Sequence, residues 1–129
     1  MYNQSLDKKV ELIINSLLNE KGYVSTVDVL LKLEYLSHKD YEEWRHGHIS
    51  FFERACKVNL KKLCTISKLI WQYAEQNKLQ KSFIEYNQWA SKGKRKLKFS
   101  KSGNPIIELL YATHYLDTKK IDELKSEWY

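Results

Sequence analysis

Residues 50–77 read SFFERACKVNLKKLCTISKLIWQYAEQN, and the pattern within them decides the fold. Ser50 followed by Glu53 is the S-x-x-E arrangement in which two side chains satisfy the first free amides of a helix. At 100° per residue, Phe52, Cys56, Asn59, Leu63, Ile66, Ile70 and Ala74 project to one face. Arg54, Lys57, Lys61 and Lys68 project to the opposite one. The spacing predicts one amphipathic helix from residue 50 to about residue 77, lying at the centre of the core. Asn59 stands out on the apolar stripe, where a buried amide needs a backbone or side-chain partner.

On the N-terminal side, Leu6, Val10, Ile13, Ile14, Leu17 and Leu18 keep helical spacing, with Ser5 or Asp7 placed to cap and Gly22 to terminate. A second helix follows Ser25-Thr26, with Val27, Leu30, Leu31 and Leu33 as its stripe. Ser37 opens a short third helix over Lys39–His46, with Asp40 as a weak capping-box partner and Gly47 as its stop. On the C-terminal side, Ser82 and Glu85 form another S-x-x-E pair, predicting a helix through Phe83, Tyr86 and Ala90. Lys96-Leu97-Lys98-Phe99 alternates polar and apolar, as a short strand or extended loop does. Asn104-Pro105 is an N-cap followed by a proline suited to the first helical position, so Ile106–Tyr115 reads as a buried helix. Asp117 or Thr118 starts a last helix toward Trp128.

Four glycines and one proline in 129 residues disfavour a turn-rich β fold, and 43% hydrophobic content disfavours disorder. The expected class is therefore all-α: a compact bundle of five or six helices around one long central helix, with at most one short hairpin or strand near 94–99. The length suits a single helical domain over residues 1–129. The first residues lack the basic start and apolar core of a signal peptide, and no run of about 18 apolar residues occurs. Cys56 and Cys64 on one helix would sit about 12 Å apart, too far for a disulfide. Reduced thiols and no membrane segment make a cytoplasmic protein the expectation.

Charge is unevenly distributed. Net charge is +6, but residues 51–101 hold thirteen basic and three acidic side chains, while the flanking segments are each slightly acidic. Lys92, Lys94, Arg95, Lys96, Lys98 and Lys101 lie beside Tyr86, Trp89 and Phe99. Cations neutralise phosphates and release counterions, and aromatic rings stack on unpaired bases. The expected function is non-catalytic nucleic-acid binding through Arg54, Lys57, Lys61, Lys92, Lys94, Arg95, Lys96, Lys98 and Lys101, with Trp89 or Tyr86 as stacking platform. The same lysines could instead guard an edge strand. An interaction module binding an acidic protein partner is the alternative. A nuclease using Arg45, His46 or His48 is a third reading, and it requires those side chains to converge in a cleft.

Other motifs lead elsewhere. Val27–His46 has a helix-turn-helix outline, but Glu34 takes the place of the turn glycine and Asp40, Glu42 and Glu43 would repel phosphate. An ordinary helical hairpin fits better. His46-Gly47-His48 with His38 falls short of zinc-ligand spacing, so no metal and no cofactor are expected. Lys101–Asn104 is a helix start and not a P-loop.

Asp28–Leu36, Trp44-Arg45-His46-Gly47, Phe99–Pro105 and Tyr111-Ala112-Thr113-His114 together resemble a group of small bacterial proteins of unknown function, over about residues 24–116. The resemblance implies a stand-alone folded unit. It supplies no activity, cofactor or catalytic residue.

Overall fold

A computed structural model describes residues 5–89 and 95–127. Helix α1 (Leu6–Lys21) opens where Ser5 accepts a hydrogen bond from the Lys8 amide and ends at Gly22, whose φ of 81° is the left-handed cap. A Cβ at Gly22 would lie 2.5 Å from Ile121 Cγ1, so this glycine also lets the last helix approach closely. Strand β1 (Tyr23–Ser25) leads directly into α2 (Thr26–Lys32), with Ser25 as its cap. Ser37 caps α3 (His38–Arg45) by accepting from the Asp40 amide. These start signals form as their sequences dictate, because a cap involves only neighbours within one turn.

The predicted 50–77 helix is two helices. A single turn, α4 (Phe52–Ala55), ends at Cys56, whose ψ of 145° is extended, and α5 (Leu60–Gln76) starts afresh. Asn59, the odd member of the stripe, is the N-cap of α5, its Oδ1 accepting from the Lys62 amide at 2.9 Å. Within the break, the Lys57 amide donates to Tyr35 O at 2.7 Å. The Ser50–Glu53 box does not form: Phe51 precedes α4 without a side-chain cap. Cys56 closes α4 while Cys64 lies on α5, and both are free thiols. Burial and the nearby Glu53 carboxylate push the Cys56 thiol up to about 12.

The chain is mostly helical, but it is not all-α. Among the described residues seven helices are accompanied by a three-stranded antiparallel sheet ordered β1-β3-β2. Gln80–Phe83, predicted to begin a helix at Ser82, is strand β2. The helix predicted over Ile106–Tyr115 stops early: α6 spans Pro105–Ala112 and Thr113–Leu116 is strand β3. β3 is the middle strand, with Val24 opposite Tyr115 on one side and Ser82 opposite His114 on the other. Asp117 then caps α7 (Thr118–Ser126) through the Lys120 amide. Near 94–99 the expected short extended stretch occurs as an isolated bridge, Asn87 to Lys96.

The core gathers around Trp44, which is fully buried and donates from Nε1 to Lys98 O at 3.0 Å. Phe52 and Phe99 each lie 5.0 Å from it by ring centroid, and Tyr86 5.8 Å. Phe99 in turn stacks on Tyr111 at 5.6 Å. This cluster fastens the 95–101 segment to α3 and α4. Val10, Ile14 and Leu17 of α1 and Leu63, Ile66 and Ile70 of α5 are also buried. Among the described residues no helix is long and apolar enough to cross a membrane.

Candidate nucleic-acid interface

Segment 95–101 takes its conformation from three sets of backbone bonds. The Leu97 amide donates to Tyr86 O at 2.8 Å, and the Gln88 amide donates to Arg95 O at 2.8 Å, pairing it with 86–88. The free amides of Phe52 and Glu53 at the start of α4 donate to Lys98 O and Phe99 O, each at 3.0 Å. Two carboxylates hold its far end. Glu108 accepts from the Phe99 amide, the Ser100 amide and Ser100 Oγ, and Glu53 accepts from the Lys101 amide and Tyr111 Oη. Alternation then buries Leu97 and Phe99 and leaves Arg95, Lys96 and Lys98 exposed, as the pattern predicts.

Arg95, Lys96 and Lys98 line one side of an open cleft of about 330 Å³, and Gly47, Ile49, Ser50 and Gln88 line the other. Among the described residues no carboxylate borders it. Gly47 has a φ of 82°, a left-handed conformation that favours glycine, and a Cβ there would displace the end of the Gln88 side chain, whose Cδ lies 2.8 Å away. Gln88 Nε2 donates to His46 O at 3.1 Å. The His46 ring lies edge-on to Trp89 at 5.4 Å, which puts an aromatic group beside the cleft.

The expected contact residues divide into three groups. Arg95, Lys96 and Lys98 share the cleft, and exposed Arg54 and Lys101 sit on the elements bonded to them. Lys98 Nζ is partly engaged, donating to Lys101 O at 2.9 Å. Lys57 and Lys61 are exposed but lie in the helix break and the first turn of α5, and they line none of the described clefts. Lys92 and Lys94 lie outside the described residues. Trp89 is 39% exposed, although the Arg45 guanidinium covers part of its ring at 4.8 Å. Tyr86 does not serve as a platform: it is buried, with its hydroxyl 2.7 Å from His114 Nε2. Burial and the charge of Asp28 raise its phenol above the usual range, and burial lowers His114 below its ordinary value.

Of the residues named for a nuclease, His46 and His48 stack at 6.0 Å by ring centroid, but none of the three lines a described cleft. Arg45 turns into a box of Tyr41, Tyr86 and Trp89, and its NH2 donates to Asn87 O at 3.1 Å. His48 Nδ1 sits 3.0 Å from Glu43 Oε2, out on the surface. Sequence reasoning missed Gly47, Ile49 and Ser50 because they lie far along the chain from Arg95–Lys98 and share no motif with it, and Gln88 because it is uncharged and outside the basic run. Its only hint was the short turn signal at Gly47. Comparison with protein-family models, with curated proteins and with solved structures returns no match.

Proposed function

We propose that the chain is a non-catalytic nucleic-acid-binding protein that holds a phosphate backbone along the Arg95–Lys98 cleft, with Arg54 and Lys101 extending the contact. The observation that carries this reading is the cleft itself: among the described residues three cations converge on it and no carboxylate does. Cations arranged along a groove without counter-charge attract phosphate and release its condensed ions on contact. Trp89, beside the groove, supplies an aromatic surface for an unstacked base.

The test is fluorescence anisotropy with short single- and double-stranded DNA and RNA at several salt concentrations. Expected is binding tighter than about 10⁻⁶ M near physiological salt, above the usual non-specific range. Replacing Arg95, Lys96 and Lys98 with alanine should weaken binding to every sequence and flatten the salt slope by about 0.9 per lost duplex contact. An unchanged slope would remove the cleft from the interface.

A second reading, a module that binds a protein partner, has its own support. Phe83, Ile84 and Leu109 line an open groove of about 380 Å³ that Lys96, Glu85 and Glu108 also border. Exposed apolar surface rimmed by charge is the usual mark of protein contact.

A further inference from the structure

Strand β2 is an edge. It pairs with β3 on one side, and among the described residues nothing bonds to its other side. The Ile84 amide donates to Ala112 O at 3.1 Å, in the same register that sets Ser82 opposite His114. Antiparallel alternation therefore turns the N–H and C=O groups of Lys81 and Phe83 outward. Most side chains along this edge are exposed, Lys81, Phe83, Ile84 and Glu85 among them, and Ser82 is half-buried. Phe83 is 62% exposed, and nearby on α6 Leu109 is 48% and Ile106 70% exposed. A large exposed aromatic ring at the end of an open edge strand is a template for another strand.

The charges about Phe83 say which strand. Two residues before it stands Lys81, and two after it stands Glu85. In an antiparallel pair centred on Phe83, each Lys81 faces the Glu85 of the other copy, twice over, and the two Phe83 rings meet at the axis. The outward-pointing backbone groups of the two Phe83 residues then meet in register. A pairing centred on Lys81 would instead set two lysines face to face. A lone lysine on an edge repels a second copy, but Glu85 converts that repulsion to attraction in this one register.

We infer that β2 is a self-association surface, and that a second copy of this chain pairs with it antiparallel about Phe83 to make a continuous six-stranded sheet with two-fold symmetry. The apolar residues of α6 flank the junction. Lys81, which already pairs with Glu75 at 2.6 Å, then bridges one carboxylate of its own chain and one of the other. The inference does not depend on the nucleic-acid reading, since the Arg95–Lys98 cleft is formed within one copy.

The test is sedimentation velocity on the full chain, from micromolar concentration to about 1 mM. Expected is a concentration-dependent dimer that K81E and E85K each weaken about tenfold, because each reversal sets like charges together at both ends of the junction. An equimolar mixture of the two variants should regain the wild-type dimer, since the mixed pair restores opposite charges at both positions. Far-UV circular dichroism and thermal melts check that both variants fold. A monomer across the whole range overturns the proposal. So does a dimer indifferent to both reversals, or a mixture no tighter than its components.

Discussion

Glu108 accepts three hydrogen bonds from two adjacent residues, Phe99 and Ser100, while presenting no charge to the cleft. Bonds to an ionised acceptor are worth more than neutral ones, and leaving the donors of buried Phe99 and Ser100 unpaired adds a cost. Glu108→Ala is expected to lower stability by about 2–3 kcal/mol, read from urea denaturation. His114 acts differently, through its proton. Its ring stacks on Tyr23 at 5.3 Å, and burial lowers its pKa from the ordinary 6.5. The unfolded chain therefore takes up a proton before the folded one does. The stability that neutral His114 provides is complete above about pH 6.5 and is lost as pH falls toward the folded value. His114→Gln should shrink the difference in denaturation midpoint between about pH 7.5 and 5.5, and an undiminished difference would assign the dependence to other groups.

At the scale of elements, the helix starts were legible and the strands were not. Ser5, Ser25, Ser37, Asn104 and Asp117 each cap the helix their position implies, because a cap needs only its own turn. The S-x-x-E pairs at Ser50 and Ser82 misled for the same reason: a local motif is outbid when a distant partner offers more. Glu53 is taken by Lys101 and Tyr111, and Ser82 by the ladder to β3. Asn59 carried the clue to the broken helix, since an amide on an apolar stripe is more at home capping than buried. Asn59→Ala should cost about 1 kcal/mol, seen as a lowered urea midpoint with an unchanged slope. The cations of the candidate site were legible as a charge run. Their facing wall, Gly47 to Ser50 with Gln88, depends on tertiary contacts that no local pattern announces.

For the whole molecule, the decisive feature is β3, which joins segments from three distant parts of the chain. It holds β1 on one side and β2 on the other, and Gly22 O accepts from the Asp117 amide at 2.8 Å just beyond it. A chain ending at Ala112 keeps every helix but α7, yet both remaining strands lose their partner. Such a truncation is expected to melt without a cooperative transition, and a sharp melt followed by circular dichroism would show that the helices suffice alone. The same topology sets a timetable during synthesis. Tyr23–Ser25 leaves the translation machinery roughly 90 residues ahead of its only partner strand, a delay of about 5–20 s at ordinary elongation rates. From the completion of Gln80–Phe83 onward the nascent chain carries two orphan strands, and both wait for the same partner.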